Sequence, residues 1–134
     1  MKVIVDTDVW SEAFRKRGEK SLYLAELKTL IEESRVELLG LVKLEILCGI
    51  RDRLVFDRIA KSLSPFPTHA MTSEVFVTAA EFFNTCRSKG IQGSNNDFLI
   101  CAASALWRLP ILTKDQDFKR YQKHLPISLA SSPK

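Results

Sequence analysis

Two spacings of apolar residues alternate along this chain. Short runs rich in branched apolar residues, at positions 2–6, 36–41, 110–113 and 126–129, read as buried strands. Between them, apolar residues recur three and four apart, as on one face of a helix. This predicts helices over 7–15, 19–34, 42–49, 51–63, 72–89, 98–109 and 118–124. The faces are clearest in Val55, Ile59 and Leu63 and in Val75, Ala79, Phe82, Phe83 and Cys86. The segment 98–109 is apolar almost all round and must be buried on most sides. Residues 64–68 carry two prolines, which leaves only an edge strand or an extended connector. Alternating strands and helices predict an α/β fold, a three-layer sandwich with a mainly parallel central sheet and right-handed crossovers.

Composition adds limits rather than detail. A chain of 134 residues with 46% hydrophobic residues can bury a core as one domain, 1–134. No apolar run nears the ~20 residues of a membrane span, and the chain opens on a strand rather than a leader, so a cytoplasmic protein is expected. Cys48, Cys86 and Cys101 are an odd set in apolar helical patterns and read as reduced core residues. His69 and His124 share no ligand spacing with any cysteine, which argues against structural zinc. A net charge of +4 permits a polyanionic partner without requiring one.

The carboxylates change the picture. In a parallel α/β sheet the strand ends and the N-termini of the following helices share one edge, where ligands bind. Asp6 ends the first strand, and Glu45 falls in the first turn expected after the second. Asp97 opens the buried helix, and Asp115 stands just past the next strand. Two anions about 4 Å apart repel by roughly 1–4 kcal/mol, depending on the effective dielectric. Helix N-termini offset part of this at Glu45 and Asp97, and a divalent cation offsets more. Oxygen-only donors suit Mg²⁺ or Mn²⁺, the usual equipment for phosphate chemistry. Asp8, two residues after Asp6, is expected to cap the first helix. Trp10 can stack on a base or pack as the apolar side of that helix, and packing is expected.

Four stretches together resemble a known family: Val-Asp-Thr-Asp-Val-Trp at 5–10, Glu45 with Gly49, Asn96-Asp97 followed by Ile100 and Ala102-Ala103, and Thr113, Asp115 and Asp117-Phe118. In order and spacing they are similar to the PIN-domain ribonucleases of the VapC toxin type. The resemblance covers the whole chain. It implies a Mg²⁺- or Mn²⁺-dependent endoribonuclease with Asp6, Glu45, Asp97 and Asp115 as metal-binding acids and Asp117 as an auxiliary one. Thr7 and Thr113 would hold the carboxylates or waters by hydrogen bonds. A small antitoxin and a homodimer are the partners it implies. Asp8 departs from the Asn or Ser more usual there. RNA would need basic residues around the acids, and the candidates are Arg15, Lys16, Arg17, Lys43, Arg51, Lys114 and Lys119.

Two other readings stay open on the sequence. In a haloacid-dehalogenase-type phosphatase, Asp6 would be the nucleophile and Asp8 the acid/base. A catalytically silent module would keep the fold and only bind RNA or protein.

Overall fold

The structure, a computed structural model, describes residues 1–15 and 21–130. Strands β1 (Val3–Val5), β2 (Val36–Glu37) and β3 (Ile111–Leu112) form a parallel sheet in the order β2-β1-β3. Val3 pairs with Val36, and Ile4 with Ile111. All the strand residues are buried. A parallel sheet buried on both faces is covered by helices on both sides, which gives the three layers. Those helices, among the described residues, are α1 (Thr7–Phe14), α2 (Leu22–Glu32), α3 (Gly40–Leu47), α4 (Arg53–Leu63), α5 (Ser73–Ser88), α6 (Asn95–Trp107) and α7 (Asp117–Gln122).

Local chemistry sets the helix starts. The Asp52 carboxylate accepts from the backbone N–H of Leu54 at 2.9 Å and of Val55 at 3.2 Å, and opens α4. Ser94 Oγ accepts from the Asp97 N–H at 3.0 Å and opens α6. These polar side chains satisfy N–H groups that have no partner within the helix. Helix α6 is buried through Phe98, Ile100, Cys101, Ala102, Ala103 and Ser104, as its composition requires.

Several boundaries depart from the sequence reading. The apolar run at 36–41 is strand only at its first two residues, and α3 begins at Gly40. Leu38 and Leu39 are fully buried in the turn between them, so burial without periodicity made the run look longer. The run at 126–129 contributes one bridge, Leu129 to Ile111, rather than a strand. Residues 64–68 form no strand and act as a connector, with the Phe66 ring edge-on to Trp10 at 5.4 Å. Cys86 and Cys101 are core residues, but Cys48 is exposed just past the end of α3. The start expected for the second helix, residues 19 and 20, lies outside the described residues.

No pattern announced Glu37. It is 2% exposed on β2, where its Oε2 lies 2.8 Å from Nδ1 of His69. His69 packs in turn on Trp107, with ring centroids 4.8 Å apart.

Candidate active site

The polypeptide passes straight from β1 into α1 at Asp6, which is 8% exposed. Its backbone N–H joins the sheet by donating to the Leu112 carbonyl at 2.9 Å. Its carboxylate caps α1: Oδ1 accepts from the Thr7 N–H at 2.8 Å. Oδ2 accepts from Thr113 Oγ1 at 2.7 Å. The same Thr113 oxygen accepts from the Asp115 N–H at 3.0 Å, and Asp115 Oδ1 accepts from the Asp117 N–H at 2.9 Å. Thr7 reaches the other way. Its hydroxyl donates to Glu45 Oε1 at 2.8 Å, and Asn96 Nδ2 donates to Glu45 Oε2 at 3.3 Å. Two threonines thus tie Asp6 to Glu45 on one side and to the backbone of Asp115 on the other.

Asp97 sits in the first turn of α6, as expected, and its Oδ2 accepts from the Tyr121 hydroxyl at 2.7 Å. Glu45 does not sit in a first turn. Because α3 starts at Gly40, Glu45 is near its end, and the helix N-terminus does not offset its charge.

The cap of α1 is also reassigned. Asp6 takes that role, and Asp8 lies within the helix. Both Asp8 oxygens accept from the Lys114 N–H, at 3.1 and 3.3 Å, so Asp8 anchors the loop that carries Asp115. Trp10 is 2% exposed between Phe14 and Phe66, so it packs and does not stack on a base.

These placements raise the carboxyl pKa values. Burial first, then the Asp8 charge, pushes Asp6 up to about 7, against the hydrogen bonds from Thr113 and Thr7. Burial also raises Asp8 and Asp97, with Asp115 adding repulsion at both and the Tyr121 hydrogen bond opposing the rise at Asp97. Burial, then the bond to Asp97, pushes the Tyr121 hydroxyl up, so it stays a donor.

Buried carboxylates that raise one another's pKa form a site short of positive charge. The donors are all oxygen, which fits a hard divalent cation. No three His, Cys, Asp or Glu side chains among the described residues close around one point.

The basic candidates scatter. Arg15 is exposed at the end of α1, Arg51 between α3 and α4, and Lys119 on α7, while Lys43 is half-buried on α3. Lys114 Nζ is taken up by Glu12 Oε2 at 2.9 Å, and Glu12 also accepts from the Ser21 hydroxyl. Lys16 and Arg17 lie outside the described residues. Asp117 opens α7 and pairs with Arg120 at 3.5 Å.

A family model for the PIN domain matches residues 3–124. The chain belongs to the PIN domain family. Ribonuclease VapC11 of Mycobacterium tuberculosis is 28% identical to this PIN chain over 120 residues, 87% of this chain and 88% of that one. VapC ribonuclease Mb1587 of Mycobacterium bovis matches to the same extent, 28% over 120 residues, 87% and 88%. Among solved structures, VapBC2 from Rickettsia felis, bound to a DNA fragment from its promoter, matches with a TM-score of 0.78 at 19% identity, over 97% of this chain and 98% of that one. FitAcB from Neisseria gonorrhoeae also gives 0.78 at 19% identity, over 96% of each chain. The PIN fold removes the phosphatase alternative, and Asp8, turned onto the Lys114 amide, has a different task in any case.

Sequence reasoning missed Asn96 and Tyr121. Asn96 carried a weak signal, since it neighbours Asp97 in the first turn of a helix. Tyr121 falls three residues after Phe118 on the short helix behind the acid loop, a spacing that marks it as buried and says nothing of Asp97.

Proposed function

We propose that this protein is a metal-dependent endoribonuclease, the toxin of a toxin-antitoxin pair, that hydrolyses RNA phosphodiester bonds. The observation that carries the reading is the hydrogen-bonded chain from Glu45 through Thr7, Asp6 and Thr113 to Asp115, at the carboxyl edge of the sheet. It holds acids from three separate elements in fixed relation on a PIN fold. Its relatives of similar length are named VapC ribonucleases.

In this reading Asp6 and Asp97 would be the principal ligands of one or two Mg²⁺ ions, with Mn²⁺ as a substitute, and Glu45 and Asp115 would complete the cluster through water. When bound, such an ion polarises a phosphoryl oxygen and lowers the pKa of an attacking water. The protein's own part is orientation. Thr113 fixes one Asp6 oxygen, and the Thr7 amide fixes the other. Thr7 and Asn96 fix the two oxygens of Glu45. Asp117 positions Asp115 through its backbone N–H. Cations outside the acid cluster bind the RNA backbone. The partners are RNA, an antitoxin whose tail covers the acids, and a second copy of the chain. Among the described residues no helix is long and apolar enough to cross a membrane.

The test is RNA cleavage by the purified chain with Mg²⁺ or Mn²⁺. Wild type should cleave, and Asp6→Asn and Asp97→Asn should fall to background. Calorimetry separates the remaining alternative: absence of Mg²⁺ and Mn²⁺ binding at millimolar concentration would leave only a silent binding module. A short neighbouring reading frame with a DNA-binding N-terminus would supply the antitoxin.

A further inference from the structure

We infer that Tyr121 is a positioning residue for the divalent cation: its buried hydroxyl holds Asp97 in the orientation that binds, and Gly93 keeps open the space the tyrosine occupies. The inference rests on the reading of Asp97 as a metal ligand and deepens it.

Three features fix the tyrosine. Its side chain is completely buried on α7. Its ring is wedged between Phe98, at 5.0 Å between centroids, and Phe118, at 5.2 Å and nearly edge-on. Its hydroxyl donates to Asp97 Oδ2 at 2.7 Å. A buried tyrosine hydroxyl needs a hydrogen-bond partner. This one spends its single proton on a carboxylate at the sheet edge.

Gly93 shows how tightly the arrangement is built. A Cβ there would overlap the Tyr121 hydroxyl and would stand 2.8 Å from Tyr121 Cζ and 3.0 Å from Phe98 Cε2. Its backbone is not left-handed, so the glycine is needed for room rather than for conformation. The Asp97 backbone is pinned independently, through its N–H to Ser94 Oγ. With the backbone held by Ser94 and one oxygen by Tyr121, the carboxylate loses most of its rotamer freedom. A small cation that demands near-octahedral geometry gains from such a ligand. Partners that orient ligands in this way typically contribute about 10–100-fold in metal affinity.

The experiment is a Mn²⁺ titration of the full chain followed by electron paramagnetic resonance, with no RNA present. Tyr121→Phe keeps the ring and removes only the hydroxyl. It should unfold cooperatively like wild type and bind Mn²⁺ roughly 10–100-fold more weakly. In cleavage assays its half-saturating Mg²⁺ should rise by a similar factor, while kcat at saturating Mg²⁺ returns close to wild type. A purely structural tyrosine would lower thermal stability and leave the metal requirement unmoved. Gly93→Ala, which displaces the hydroxyl without removing it, should weaken Mn²⁺ binding in the same direction. Tyr121→Phe binding Mn²⁺ within about twofold of wild type overturns the inference. If that variant does not fold, Gly93→Ala decides by the same threshold. Wild type that binds no Mn²⁺ also overturns it. Wild type that binds Mn²⁺ yet leaves every RNA intact overturns the nuclease reading alone, and the affinity comparison still judges Tyr121.

Discussion

At the scale of the residue, Asp6 carries the sharpest conflict, and the conflict has a measurable sign. Burial and Asp8 raise its carboxyl from the usual 3.8 to about 7. A group with a raised folded pKa contributes stability below its unfolded value and loses it as pH climbs through the folded one. The metal-free protein should therefore lose thermal stability as pH rises between 3.8 and about 7. For a nearly buried group the loss is on the order of 4 kcal/mol. Asp8 and Asp97, raised for the same reason, add to the trend. Asp6→Asn should flatten the curve and be more stable than wild type at the alkaline end. Adding Mn²⁺ there should rescue wild type and do little for the variant. Thermal melts in EDTA across this range check the prediction, and parallel curves for the two proteins would refute it. The positions of Asp6, Asp97 and Asp115 were legible in the sequence, because each follows a strand or opens a helix, whereas Glu45, near the end of α3, does neither. Their partners were not. Asp8 meets the Lys114 amide across 106 positions, and Tyr121 meets Asp97 across 24. Nothing local encodes either meeting.

At the scale of the element, the same limit appears as misplaced ends. The helices with a clear apolar stripe, α4 and α5, begin and end within two residues of their sequence-derived bounds. Where apolar residues run on without period, at 36–41, the point at which strand gives way to helix could not be read, and Glu45 was put in the wrong turn of α3. Buried strand and buried helix entry share one composition, and only a capping side chain would separate them. Leu39, at the cap of α3, supplies none. Helix α6 does have such a signal in Ser94, which leads to a prediction specific to that helix. Ser94→Ala removes the oxygen that accepts the Asp97 N–H. It should cost about 0.5–2 kcal/mol of stability, the usual range for a lost cap. It should also loosen the turn that presents Asp97, so Mn²⁺ binding should weaken together with stability. Ser94→Asp, a strong cap, should restore the stability. Denaturant melts of the two variants decide it: equal losses would mean that the serine acts through something other than capping.

At the scale of the whole molecule, an acidic site has to receive a polyanion on a chain of net charge +4. The ion pairs show which cations are already committed. Lys114 is held by Glu12, Arg120 by Asp117, Arg35 by Glu33 and Arg53 by Asp57. Lys43, Arg51 and Lys119 enter no ion pair among the described residues, so their charge is available to phosphates. Each cation that neutralises a phosphate releases a counterion, and for a single strand the slope of log affinity against log salt changes by about 0.7 per contact. In an Asp97→Asn background, where RNA survives, alanine at Lys43, Arg51 or Lys119 should weaken binding to single-stranded RNA whatever its sequence. Each should make the salt slope shallower by about that amount. Lys114→Ala should behave differently. It should leave the slope intact and lower the melting temperature, because Glu12 and the start of α2 at Ser21 lose their cation. Fluorescence anisotropy over a salt series measures the slopes, and thermal melts measure the other effect. If Lys114→Ala flattened the slope while the other three substitutions did not, the RNA path would run over the 113–117 loop rather than across α3 and α7.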